Sequence, residues 1–339
     1  MSRLTRRQPV IYSAYFLVMM LVTAVALLIV ALISLKLGAV NTSLAQVIQA
    51  FFQPVEDDFN QLIIRTIRLP RVLAGVLAGM ALAVSGALMQ GLSRNPLASP
   101  GILGINAGAA FAVVMALTLF GQPPLLTYAL FAGAGAALAA VSVYYLASMG
   151  AGGMTPIKLT LSGAVFTVFL SAVTTAVLIF DEDTLDQVRF WTAGSLAGRE
   201  MPMLYHSAPY ILSGVIIAVL LGKAITALSL GNDIATSLGQ NPSRIKKIAL
   251  LAVVLSAGGA TALVGPIGFV GLVVPHIARL LVGTDYRRIL PMSALMGALL
   301  VSIADIFSRI LIPPQELPAG IVMGIIGAPF FIYLARKKL

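Results

Sequence analysis

The sequence predicts an all-α, multi-pass membrane protein with about ten spanning helices, and three observations carry that prediction. Apolar residues make up 59% of the 339-residue chain and charged residues only 10%, against ~25% charged in a typical soluble domain. The mean hydropathy is +0.99. Charge-free stretches of about 20 residues, the length that crosses ~30 Å of hydrocarbon as a helix, recur along the whole chain. One soluble core could not hide that much apolar surface, because the buried fraction grows only slowly with chain length.

The elements follow in order. Residues 11–35 carry no charge and form the first span; their apolar run is too long for a cleaved signal peptide, and no small-x-small cleavage pattern follows it. Residues 72–93 form the second. The charge-free run 95–157 holds the third and fourth, joined at Gly121-Gln122-Pro123-Pro124, and 159–180 the fifth. Residues 204–222 form the sixth. The run 248–278 exceeds one span and is broken in its middle by Gly265-Pro266 and Gly268, which gives two short helices. Residues 289–312 and 317–335 complete the set. The whole chain, 1–339, is then one transmembrane domain whose longer non-spanning pieces are 36–70, 181–203 and 223–247.

An even count places both termini on one side, and the charges choose which. With the termini in the cytoplasm, most basic residues fall inside, including Arg3, Arg6, Arg7, Arg94, Lys158, Arg244, Lys246 and Lys247. Lys36, Arg65, Arg68, Arg71, Arg189, Arg199 and Arg309 fall outside, and most acids, Glu56 and Asp57 among them, lie outside too. That bias follows the positive-inside rule. The net charge of +10 is therefore a topology signal rather than a sign of nucleic-acid binding, since no basic stretch lies in a soluble domain.

Little in the chain supports covalent chemistry. There is no cysteine, and His206 and His276 are the only histidines, too few for a histidine metal cluster. No catalytic residue, metal or cofactor is expected. The phosphate-binding pattern G-x-x-x-x-G-K-[ST] is absent, since Gly222-Lys223 is followed by Ala224 and lacks the first glycine. If transport is active, its energy comes from an ion gradient or from a separate ATPase.

Three small-residue pairs, Gly75/Gly79, Gly104/Gly108 and Gly320/Gly324, sit one helical turn apart, as close helix contacts or as chance matches in glycine-rich helices. Breaks at Asn95-Pro96-Leu97-Ala98-Ser99-Pro100-Gly101 and at Gly265-Pro266-Ile267-Gly268 read either as interfacial turns or as discontinuous helices on a transport path. Asp305 and Arg309 stand i,i+4 on one helix face, which makes them a plain intrahelical pair or the thin beginnings of a proton relay. His206 falls at the outer end of the sixth span. In segment 230–247, Asn232 or Asp233 can cap a short helix whose Ile234 and Leu238 share a face, Gly239 can end it, and Ser243 can cap a second helix carrying Arg244, Lys246 and Lys247. Such a pair suits a groove on a partner protein, or else a loop held by lipid headgroups.

Several motifs together resemble the FecCD-type permeases that import ferric siderophores, haem and cobalamin. They are Arg68-Leu69-Pro70-Arg71, Ser85-Gly86-Ala87-Leu88-Met89-Gln90, the Asn95 to Gly104 stretch, Gly265 to His276, Ala304-Asp305, Glu316-Leu317-Pro318 and Gly327-Ala328-Pro329-Phe330. They run in one order over about residues 60–335. The resemblance implies a type II ATP-binding-cassette (ABC) importer permease fold in a bacterial plasma membrane. A second permease subunit, identical or homologous, two ATPase subunits and an extracytoplasmic substrate-binding protein would be its partners. It implies that Arg68, Arg71 and Arg309 face the binding protein, that Asp233, Ile234, Ala235, Leu238, Gly239 and Arg244 belong to the segment coupling to the ATPase, and that Asn95, Pro96, Leu97 and Thr155 contribute to a cytoplasmic gate. Ser99 departs from the family pattern, which often has an acid there. A ferric siderophore is the commonest family cargo; haem or cobalamin by the same mechanism, or a gradient-driven carrier, are the alternatives.

Overall fold

The computed structural model describes residues 8–38, 42–53, 55, 58–121, 124–150, 154–312 and 315–338. Arg3, Arg6, Arg7, Glu56, Asp57 and the Gln122-Pro123 part of the third joint lie outside the described residues. The long helices are α1 (Gln8–Lys36), α4 (Leu69–Ser93), α6 (Leu125–Ser148), α7 (Pro156–Ile179), α9 (Met201–Leu220), α15 (Tyr286–Ile310) and α16 (Ala319–Lys338). Shorter ones are α2 (Leu44–Phe52), α3 (Phe59–Ile63), α5 (Ile105–Phe120), α8 (Glu182–Thr192), α10 (Gly222–Leu230), α11 (Asn232–Ser237), α12 (Pro242–Val253), α13 (Gly259–Val264) and α14 (Val270–Val282). Single π-turns join α3 to α4 (Ile64–Arg68) and α12 to α13 (Val254–Gly258), so each pair runs on as one rod. Among the described residues seven rods are long and apolar enough to cross a membrane, and α5, α14 and the apolar part of α16 are shorter apolar helices. These correspond one for one to the ten expected spans.

Boundaries moved for physical reasons. The second span begins well before residue 72, because the rod runs from Phe59 to Ser93. Arg68 and Arg71 do not end it; both turn inward to polar partners and are buried. The pieces 36–70 and 181–203 are not plain loops. Ser43 and Gln46 form a reciprocal capping box on α2, and Asp58 and Asp181 cap α3 and α8.

Helices α4 and α15 form the centre and pack antiparallel. Glycine makes this possible: a Cβ at Gly79 would overlap the Gly297 carbonyl, and one at Gly297 would overlap the Gly79 carbonyl. Gly108 of α5 meets Gly135 of α6 in the same way. Of the other spaced glycines, Gly75 makes only ordinary contact with Leu196 and Gly104 is a left-handed cap, while a Cβ at Gly320 would overlap the Ala193 carbonyl and Gly324 has open space around it. Helix α1 lies at the edge, and between Ala14 and Ile33 only Thr23 is buried.

The alternation of helices gives the bundle two ends. One carries the start of α1, the end of α16, the α4–α5 turn, the start of α7 and segment 230–247; the other carries the end of α1, the start of α4 and the end of α15. They are called here the terminal and distal faces.

Candidate docking and coupling surfaces

On the distal face the three arginines meet in one buried cluster. Arg71 Nε donates to Asp305 Oδ1 at 2.9 Å, and its Nη1 donates to Glu316 Oε2 at 2.7 Å. Arg309 Nη2 donates to Asp305 Oδ2 at 2.6 Å and to the Ser34 hydroxyl, and its Nη1 donates to the Leu37 carbonyl at 2.9 Å. Arg68 Nη1 donates to the carbonyls of Leu35 and Lys36 at 2.8 and 2.7 Å and to the Thr42 hydroxyl at 2.7 Å. Asp305 is therefore more than the partner of an intrahelical pair: it bridges α4 and α15, while Arg309 and Arg68 stitch both to the carbonyl end of α1. Those carbonyls are orphans of a helix C-terminus, where cations are favoured.

The sequence reading places all three arginines at the outer surface facing a binding protein; the structure instead buries them among partners of this chain. Arg68 is 4% and Arg71 8% exposed, because a guanidinium near the apolar layer is less costly when its donors are satisfied from inside. Glu316, absent from the expected site, is the solvent-facing member, with 40% of its side chain exposed. The Glu316-Leu317-Pro318 motif was the only signal for it. Lys36 and Arg65 are exposed, and Arg65 lines a cavity of about 660 Å³ with Gln61, Phe51 and Tyr205.

On the terminal face, α11 presents Asp233, Ile234 and Leu238 outward and buries Ala235. Gly239, at φ 76°, ends it as expected, with Gln240 N–H donating to the Ala235 carbonyl at 3.0 Å. Its start differs: Gly231 occupies the cap position, and neither Asn232 nor Asp233 caps. The second helix is capped by Asn241 rather than Ser243, with Pro242 in its first turn, and runs on into the membrane as α12. Arg244 and Lys247 are exposed and Lys246 is buried. The segment is thus one short surface helix followed directly by a spanning rod.

The expected gate residues lie on this same face. Arg94 ends α4 in a left-handed conformation, and Asn95 Oδ1 accepts the Leu97 N–H at 2.9 Å, folding a tight turn with Leu97 partly exposed. Thr155 caps α7, accepting Lys158 N–H at 3.3 Å. No hydrogen bond joins Asn95, Pro96 or Leu97 to Thr155 among the described residues. Lys246 of α12 reaches the Met154 carbonyl at 3.5 Å, which ties the rod behind the surface helix to the residue that precedes Thr155. The break at Gly265, Pro266 and Gly268 lies towards the distal face: Gly265, at φ 76°, sits against the Trp191 carbonyl, and Ser195 N–H donates to the Val264 carbonyl at 2.9 Å, satisfying irregular backbone from within the protein.

The profile of the FecCD transport family matches residues 26–337. This chain is a member of the FecCD family. Among FecCD relatives, the Fe(3+)-citrate import system permease protein YfmD of Bacillus subtilis (strain 168) is 44% identical over 320 residues, covering 94% of this chain and 95% of that protein. The ferric enterobactin transport system permease protein FepD of Escherichia coli (strain K12) is 43% identical, covering 92% and 93%. A solved structure of a metal-chelate type ABC transporter in an inward-facing conformation superposes with a TM-score of 0.83 at 29% identity, covering 94% of this chain and 98% of that one. The FecCD fold is thus the type II importer permease architecture, and the chain is a multi-pass membrane transport subunit.

Proposed function

We propose that this chain is the permease subunit of an ABC importer that carries a ferric siderophore into a bacterial cell across the plasma membrane. Kinship to iron-citrate and enterobactin permeases over nearly the full length carries this reading. Two copies, or one copy and a homologue, enclose the pathway, and two ATPase subunits bind the terminal face, which is cytoplasmic. A loaded binding protein docks on the distal face around Arg68, Arg71 and Arg309. The arginine cluster is buried in the resting chain, so docking proceeds by exchange: an acidic side chain of the partner replaces Glu316 on Arg71, the member whose carboxylate partner is most open to water. Closure of the ATPases moves the Asp233 to Arg244 segment, and that motion reaches the Asn95 to Leu97 turn and the Thr155 turn through α12 and its Lys246 contact.

Reconstitution tests the proposal. Liposomes holding this chain with its permease partner, ATPase subunits and binding protein should accumulate ferric siderophore only with internal ATP. Uptake by this chain alone along an ion gradient, or preference for haem or cobalamin, would overturn it.

A further inference from the structure

The surface helix α11 is continuous in sequence with α10, and α10 is locked to the start of α15. The Thr226 hydroxyl of α10 accepts the Tyr286 N–H at 2.9 Å and lies 3.1 Å from Asp285 Oδ1, besides 2.9 Å from its own helix's Gly222 carbonyl. Asp285 caps α15 by accepting the Arg287 N–H at 3.0 Å and pairs with the Arg287 guanidinium at 2.7 Å. Burial by itself raises its carboxyl, but the hydrogen bonds from Arg287 and Thr226 outweigh it and hold the group below the ordinary value. Packing leaves no slack around this joint. A Cβ added at Gly222 would come within 3.0 Å of Arg287 Cα, and one at Gly91 of α4 would press on Ile225 and the Tyr286 ring.

From that joint α15 runs unbroken to Asp305 and Arg309, about 30 Å at 1.5 Å per residue. Along the way it packs backbone against backbone on α4 at Gly79 and Gly297, where a side chain on either glycine would overlap the neighbouring carbonyl. At its far end Asp305 holds Arg71 of α4, and Arg309 holds the carbonyl end of α1. Close-packed elements move as units rather than deforming continuously.

We propose that α15 is a rigid strut between the ATPase-docking segment and the distal arginine cluster, and that Thr226 and Asp285 are the positioning residues that clamp its terminal-face end to α10. This rests on the reading of 230–247 as the ATPase-docking segment. Nucleotide-driven movement of α11 then shifts α10, the clamp passes the shift to α15, and the cluster that receives the binding protein is displaced.

The absence of cysteine allows a direct test. Ile310, 51% exposed at the end of α15, is replaced in Ile310→Cys, labelled with an environment-sensitive fluorophore, and assembled with the ATPase subunits in nanodiscs. Trapping with Mg-ATP and vanadate should shift the emission. Thr226→Val should cut that shift about fivefold or more while the hydrolysis rate stays within about twofold, and Thr226→Ser should restore it. Asp285→Asn, which keeps an N-cap acceptor, should also weaken it. An unchanged shift in Thr226→Val, or no shift in the parent, would overturn the strut. If both clamp variants fail to assemble, the joint is only a folding element and the proposal falls. If the unsubstituted chain recruits no ATPase at all, the functional reading fails first, and that is seen before any label is read.

Discussion

Asp305 sets the character of the distal cluster, because one carboxylate, 2% exposed, serves two guanidiniums from different helices. Removing its charge leaves Arg71 and Arg309 buried against each other with only Glu316 and neutral acceptors. Breaking a buried pair from one side typically costs about 3–5 kcal/mol. Asp305→Asn should therefore lower stability in detergent by that amount, read as a drop in the denaturation midpoint; an unchanged midpoint would mean that water already reaches the pair. Glu316 differs because it is half in solvent. Glu316→Gln should leave the fold intact, free Arg71 for a partner carboxylate, and tighten docking of the loaded binding protein about tenfold at low salt, an effect worth ~1.4 kcal/mol. Weaker docking after that substitution would show that Glu316 itself meets the partner.

At the level of elements, hydropathy located every spanning rod, because the length that crosses lipid and the exclusion of charge leave a mark within each 20-residue window. It failed where meaning depended on distance along the chain. Arg68 and Arg71 read as the end of a span, yet the partner that draws Arg71 inside lies 234 residues later, and no local pattern carries that. Helices α2, α3 and α8 were missed because they are too short to span, and α3 and α8 are also only partly apolar. Of the small-residue pairs, Gly79 and Gly108 are true close approaches while Gly324 is not, a difference set by the neighbouring helix and invisible in spacing. Gly79→Ala should therefore cost at least the ~1–3 kcal/mol of an overpacked core, whereas Gly324→Ala should be neutral in the same melting assay. Equal effects would show that α4 and α15 can separate at little cost. The surface helix was legible through Gly239 and the Ile234/Leu238 face. Leu238 is an apolar side chain left 64% exposed, so Leu238→Asp should leave folding unchanged and uncouple ATP hydrolysis from uptake. Normal coupling in that variant would remove α11 from the ATPase contact.

The molecule as a whole is asymmetric end to end, and its function requires that asymmetry to have one direction. A surface helix with exposed apolar residues at the terminal face and a carboxylate-bound arginine cluster at the distal face suit different partners on different sides of a membrane. The basic residues settle which side is which only statistically, but the lack of any cysteine makes the assignment measurable residue by residue. Phe52, 82% exposed on α2 at the distal face, and Leu238 on α11 at the terminal face are suitable single positions. In intact cells with a permeable outer envelope, Phe52→Cys should react with a membrane-impermeant maleimide, and Leu238→Cys should react only after the plasma membrane is opened. The reverse pattern would turn the molecule over, place the arginine cluster against the ATPases and end the import reading. Labelling of both positions in sealed cells would instead show that the rods do not alternate across the bilayer, and the two faces would lose their separate roles.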